Sequence, residues 1–321
     1  MALERQDAPP ICFENDWTEL SLKKSLAGNP TGLVAWNKET PSCLPKSCPV
    51  TAIVLTKDES VNIARCLSSL GWCDQIVCID SGSSDDTVAL AKAGGADVIE
   101  TTWRGFGAQR EFALRHESVR HDWIYFVDAD EWVSQELATE IRTVIGDSRH
   151  SVYMLRLRLV FLGKWMKHAG WYKNSWVPRL AQKSQVSFLM AGFAERMTPA
   201  QGSIGRLVND VVDEDLKGLG AWVEKHGRYV RLAATERTAR SAVTDRPSTM
   251  PLTRYLLKYR VFPRIPFKPA ALWVYMYILR AGFLSGAEGL TFCTMHATFE
   301  YQIGALMRAE RARADVSLTH L

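Results

Sequence analysis

The sequence predicts an α/β fold: a mainly parallel sheet flanked by helices, followed by a helical C-terminal region that associates with a membrane. Three observations carry this. Short apolar runs alternate with helix-spaced segments between residues 50 and 127, as parallel sheets with crossover helices require. Polar, Asp-rich turns follow these runs. From Lys217 to Lys268 the chain turns basic, with twelve Lys/Arg against three Asp/Glu.

Residues 1–49 mix Pro, Asn, Lys and Ser without periodicity and read as a poorly ordered extension. Order is expected from Val50. Thr51–Thr56 is apolar and β-branched, which reads as a buried strand, and Asn62–Leu70 has helical spacing. Gln75–Ile79 repeats the strand signal, Asp80–Thr87 is a turn, and Val88–Ala93 is helical. A third strand over Ala96–Glu100, a helix over Ala108–His116 and a fourth strand over Trp123–Val127 complete the alternation. This domain is expected to run to about residue 215. Beyond it, Trp222–Thr235 reads as a helix crowded with Lys225, His226, Arg228 and Arg231. Ala270–Leu279 reads as an apolar aromatic segment too short for the roughly 20 residues of a bilayer span. Amphipathic aromatic helices beside Arg and Lys suit the membrane interface; a buried hairpin over the catalytic domain is the rival reading.

Composition excludes several classes. A net charge of +4 over 321 residues is too small to imply nucleic acid, and the N-terminal Met-Ala-Leu-Glu-Arg-Gln-Asp lacks the apolar core of a secretory signal. Seven cysteines occur without a Cys-x-x-Cys pair or accompanying His pattern, so neither a disulfide framework nor a zinc site is indicated, and a reducing cytoplasm follows as the expectation.

In a parallel sheet the turns after successive strands gather at one edge, so Thr56–Glu59, Asp80–Asp86 and Asp128–Glu131 are expected to converge. Asp128 and Asp130 leave the fourth strand on one side, and two hard oxygen ligands suit Mg²⁺ or Mn²⁺ and, through it, a diphosphate. A lone Asp-x-Asp is more often a solvated turn. Asp85 and Asp86 read as helix-capping residues. Asp80, at a strand end, can accept from a base imide or a ribose hydroxyl. Between the Asp-rich motif and residue 195 lie Arg179 and the aromatics Trp165, Trp171, Tyr172 and Trp176, which suit a phosphate and sugar rings or, equally, core packing.

Thr51–Glu59 with Asn62, Val77–Thr87 and Asp128–Glu131 resemble the nucleotide-sugar half of family 2 glycosyltransferases of the GT-A fold. Gly105–Arg110, Phe161–Trp165 and Gly170–Tyr172 look like the bacterial branch that includes lipopolysaccharide core β-glucosyltransferases. The similarity covers roughly residues 50–310. It implies that Asp58 or Glu59 and Asp80 surround the nucleoside, that Asp128 lies near ribose and diphosphate, and that Asp130 holds the metal. It also implies that Gln109 and Arg110 lie beside the donor and that Glu195 is the general base. The implied reaction is inverting transfer from a nucleotide-diphosphate sugar to a saccharide or lipid-linked acceptor in envelope polysaccharide assembly, at the inner face of the cytoplasmic membrane. The chain departs from the pattern at Ala194 and Asp213, where the branch carries His, and at Ser285, where it carries Asp. Two other classes compete. One is a noncatalytic, membrane-associated sugar-nucleotide scaffold. The other is a nucleotidyltransferase, disfavoured because no Gly-rich, Lys/Arg-bearing phosphate loop lies near Thr56–Asn62.

Overall fold

The computed structural model describes residues 48–147, 149–191, 194–199, 203–241 and 267–319. The predicted N-terminal extension up to residue 47 and the Pro-rich turn at 262–266 lie outside the described residues.

The first half follows the predicted alternation: β1 (Cys48–Thr56), α1 (Ile63–Ser69), β2 (Cys73–Asp80), α2 (Thr87–Ala93), β3 (Asp97–Glu100), α3 (Phe106–Arg115) and β4 (Trp123–Asp128). Strand β1 opens two residues ahead of Val50. It is buried on both faces, which is why its sequence is apolar throughout rather than alternating. Then come β5 (Glu131–Val133), α4 (Gln135–Asp147), β6 (Val152–Phe161), β7 (Lys164–Trp165), β8 (Trp176–Gln182), β9 (Val186–Ala191), β10 (Ala194–Pro199), β11 (Ile204–Arg206) and β12 (Val211–Asp213).

The main sheet runs β3-β2-β1-β4-β8-β6-β12-β5, with β7 and β11 also paired to β6. It is parallel from β3 to β4, and β6 pairs parallel with both β12 and β11. β8 is antiparallel to both β4 and β6, β7 to β6 and β5 to β12, so the α/β sheet expected is present and mixed, with its antiparallel pairs in the second half. Strands β6, β7 and β8, and β9 and β10, follow one another without a crossover helix and pair antiparallel.

Two cores cover the two faces. One packs α1, α2 and α4 through Ile63, Leu67, Ala91, Leu137 and Ile141 against Val54, Tyr125 and Leu155. The other packs Ala113 and Leu114 of α3, with Val186, Phe188 and Met197 of the β9–β10 hairpin, against Ile53, Ile79 and Phe126.

The C-terminal region is helical as expected: α5 (Gly218–Ser241), α6 (Lys268–Val274), a π-helical turn over Tyr275–Leu279, a 3-10 turn over Gly282–Ser285, and α7 (Gly286–Thr319). Leu272, Met276 and Phe292 pack against Phe161 and Met166, so these helices sit on the far end of β6 and β7. Glu300 of α7 receives Arg237 of α5 at 2.7 Å and Lys268 of α6 at 2.9 Å, tying all three helices together. Burial alone would raise the Glu300 carboxyl, but these two cations hold it down at about 2. Among the described residues no single helix is long and apolar enough to cross a membrane. Lys268–Leu279 and Gly282–Glu310 pass that test only as a pair bent by 70°.

Candidate functional site

The register places the ends of three strands side by side, Thr56 beside Asp80 and Leu55 beside Asp128, so the three predicted turns do converge. The first two turns interlock. Asp58 adopts a left-handed backbone (φ 52°), and its carboxylate accepts from Ser84 N at 2.7 Å and Ser84 Oγ at 3.1 Å. The Ser84 amide beside it, with its hydroxyl and Lys57, outweighs the small cost of burial and holds the Asp58 carboxyl below the usual carboxylate range. Asp80 is 1% exposed and accepts from Thr56 Oγ1 (3.0 Å), Gly82 N (2.9 Å), Ser83 N (2.8 Å) and Ser83 Oγ (2.5 Å). Its oxygens are spent shaping the turn rather than facing the crevice. Asp85 does accept from Thr87 N at 3.1 Å, as a capping residue would, whereas Asp86, at the N-cap itself, makes no side-chain cap bond.

Glu59 accepts from Asn62 Nδ2 at 2.8 Å and pairs with Lys217 at 2.5 Å, which joins the first turn to the start of α5. Burial raises its carboxyl, with Lys217 and Asn62 opposing. Gln109 is fully buried on α3; its Nε2 donates to Ser81 Oγ at 3.2 Å, and its Oε1 has no partner.

The Asp-rich motif is held by cations from three other elements. Arg110 of α3 donates to Asp128 Oδ1 at 2.7 Å, and Arg179 of β8 donates to Asp128 Oδ2 at 2.7 Å and to Glu131 Oε1. Glu131 also accepts from the Asp128 amide at 3.0 Å. Burial works against the Asp128 charge, but the two arginines hold its carboxyl well below the usual range, while burial pushes Glu131, 2% exposed, well above its own. Asp130 Oδ2 meets Lys225 of α5 at 3.3 Å. Asp213, opposite Glu131 in the β12–β5 ladder, is pushed up to about 8, first by burial and next by Asp130. Among the described residues three cationic side chains thus face four carboxyls, and Asp213 makes no ion pair, with Lys225 and Arg179 opposing its rise only from a distance.

Sequence reasoning placed Asp58, Glu59, Asp80, Gln109, Arg110, Asp128, Asp130 and Arg179 around one crevice, and all of them border it or brace its turns. It missed Glu131, Asp213 and Lys225 as members. Glu131 was legible in the Asp128–Glu131 run. Asp213 stood out only as a family departure, and Lys225 arrives from 95 residues beyond Asp130 with no local signal. Glu195 lies on β10 opposite Met190, in the hairpin that packs on α3; its side chain, and the whole of residues 192–193, lie outside the described residues.

Among the described residues no group of three or more His, Cys, Asp or Glu gathers as a metal cage. Mg²⁺ commonly takes only one or two carboxylates, completing its shell with water and substrate phosphate oxygens. Asp130 and Asp213 supply two hard carboxylate oxygens of that kind, and a divalent cation beside them would offset both the burial that chiefly raises Asp213 and the Asp130 charge that adds to it.

Acids and arginines gathered beyond the carboxyl ends of parallel strands place the chain in the class of open α/β sheets, whose ligands commonly sit at such an edge. Residues 51–194, just under half of the chain, match the model of Glycosyl transferase family 2. An uncharacterized glycosyltransferase of Rickettsia prowazekii is 36% identical over 118 residues, which is 36% of this chain and 40% of the relative. The lipopolysaccharide core biosynthesis glycosyltransferase LpsC of Rhizobium meliloti is 34% identical over 99 residues, 29% of this chain and 36% of the relative. The chain thus spans well under half the length of these curated relatives. The crystal structure of S. aureus TarS 1-349 with UDP-GlcNAc overlays with a TM-score of 0.42 at 12% identity, covering 82% of this chain and 91% of that one.

Proposed function

We propose that the protein is an inverting, metal-dependent glycosyltransferase that moves a sugar from a nucleotide diphosphate onto a saccharide or lipid-linked acceptor in lipopolysaccharide-core or exopolysaccharide assembly. The observation that carries this reading is the crevice where Asp128 and Asp130, braced by Arg110, Arg179 and Lys225, meet the turns after β1 and β2. Asp58, Glu59 and the turn shaped by Asp80 border the nucleoside end, and Gln109, Arg110 and Arg179 lie toward the diphosphate. Asp130, with Asp213, would hold Mg²⁺ or Mn²⁺, whose chemistry is to neutralise charge on the departing diphosphate.

The acceptor hydroxyl needs a base, and Glu195 is the proposed one. Its carboxylate takes the hydroxyl proton as that oxygen bonds to the anomeric carbon from the face opposite the diphosphate; the anomeric carbon–oxygen bond to phosphate breaks, and its electron pair leaves with the nucleotide. The proposed place of action is the inner face of the cytoplasmic membrane. Exposed Ile278, Leu279, Phe283 and Leu284 cluster at the 70° bend beside Arg280, which supports a peripheral contact there.

Replacing Glu195 with Gln should lower turnover about a hundredfold or more, the range of general-base contributions, while nucleotide binding stays intact. Unchanged turnover would remove it as the base. The noncatalytic scaffold reading draws support from Lys225, which already neutralises Asp130. Slow, acceptor-free donor hydrolysis by the wild type distinguishes the two, because a scaffold shows none.

A further inference from the structure

Beyond Arg179, along β8 and its neighbour β6, aromatic and cationic side chains alternate. Arg206 lies 4.9 Å over the ring of Trp176, and Arg156 lies 5.1 Å over Trp176 and 4.7 Å over Tyr172. Tyr172 meets Trp165 edge-on at 5.3 Å, and Arg158 and Lys167 lie 4.7 and 5.3 Å over Trp165. Cation–π contacts of this kind hold a guanidinium flat and leave its edge free to bind an anion.

The ladder sits at the working edge of the sheet. Arg156 pairs with Trp176 across the β6–β8 ladder, and Arg179, three residues along the same strand, grips Asp128. On the other side Arg158 lies opposite Val212, one residue before Asp213. The ladder therefore begins where the donor crevice ends.

Its charge is unbalanced. Arg156 and Arg158 share one buried carboxylate, Asp210, at 3.2 and 3.5 Å, and Tyr172 also donates to Asp210 at 2.6 Å. The carboxyl of Glu136, on α4, also feels Arg158. Among the described residues, four cations thus meet two carboxylates. Nε of Arg158 and Nε1 of Trp165 are buried donors with no acceptor among the described residues. A strand that only needed to close a core would not carry Arg156 and Arg158 at alternate positions beneath three aromatic rings.

We propose that this ladder is the acceptor subsite and that it takes an anionic saccharide, its rings stacking on pyranose faces and its guanidinium groups binding a phosphate or carboxylate on the sugar. The assignment rests on the glycosyltransferase reading above and names the class of acceptor for it. Neutral glycans would gain the stacking and lose the ionic contacts, so the anion sets the preference.

The test is calorimetric titration of the full chain with two matched pairs. One is a phosphorylated lipopolysaccharide core oligosaccharide before and after phosphatase treatment; the other is trigalacturonate against maltotriose. The anionic member of at least one pair should bind about tenfold more tightly, and which pair responds identifies phosphate or carboxylate. The double variant Lys167→Gln/Arg206→Gln changes only exposed side chains that cover ladder rings, so folding is spared, and it should lose most of that preference. Arg158→Gln should lose it more completely, and Arg158→Lys should restore part. Equal affinity within both pairs, or an anion preference unchanged in the double variant, overturns the proposal. Binding of nucleoside diphosphate, followed in the same samples, should be unaltered in the double variant. Its absence in the wild type would count against the donor reading and leave the saccharide result to be judged by itself.

Discussion

Replacing Arg179 with Met tests whether the Asp128–Glu131 pair depends on a buried cation. Arg179 is 5% exposed and Glu131 2%, so the variant strands a carboxylate in the interior. Removing one partner of a buried pair costs about 3–5 kcal/mol. Asp128 is 37% exposed and keeps Arg110, so its share is screened, and the lower end of that range, about 3 kcal/mol, is expected. With a urea m-value of about 2–3 kcal/mol/M, the unfolding midpoint should fall by roughly 1–1.5 M. The sign of the pH dependence also follows. Without Arg179 the Glu131 carboxyl binds its proton still more readily in the folded state, so the deficit should be larger at pH 8 than at pH 5.5. Adding Glu131→Gln removes the stranded charge and should recover at least half of the loss. Urea unfolding of wild type, single and double variants at both pH values decides the matter. A midpoint shift below about 0.3 M, or no recovery in the double variant, would refute the reasoning.

Asp80→Asn should loosen the turn between β2 and α2, because an amide nitrogen cannot accept from the donors that one carboxyl oxygen holds; nucleotide affinity should fall about tenfold by calorimetry, and stability should fall by about 1–3 kcal/mol. In the C-terminal helices, burial, with His226 next, pushes His296 down to about 3, opposed by Glu300. A His whose folded value lies below its ordinary 6.5 contributes stability that is complete above pH 6.5 and is lost as pH falls toward 3. Trp222 stacks on His226 at 3.4 Å, and its fluorescence should report loosening of these helices across that window, while a His296→Leu variant should flatten the response.

The first half of the fold was legible because β1, β2 and β4 are short, largely apolar runs followed by polar turns and alternate with helix-spaced segments, which fixed the elements and the shared edge, while the strand order came only from the structure. The second half was not. Arg156 and Arg158 interrupt the apolar pattern of β6, and Pro178 falls within β8, where the β6–β8 register shifts; both features argue locally against a strand. Helix α7 was expected only as part of a helical C-terminal region, without bounds of its own, because its apolar positions are spread around the axis rather than gathered in a stripe. Gly289 shows what holds it: a Cβ there would collide with the carbonyl oxygen of Gly282, a close approach visible only in three dimensions. The site divides in the same way. Residues on the strand-end turns were found from sequence, whereas Lys225 and Asp213 reach the crevice through tertiary packing.

The most direct test is calorimetry of nucleoside diphosphates and their sugars with and without Mn²⁺, on wild type and Asp130→Ala. Binding of one nucleotide that requires the metal and is lost in the variant is the predicted result. Binding that ignores both the metal and Asp130, or no binding of any nucleotide, would contradict the assignment of this crevice as the donor site.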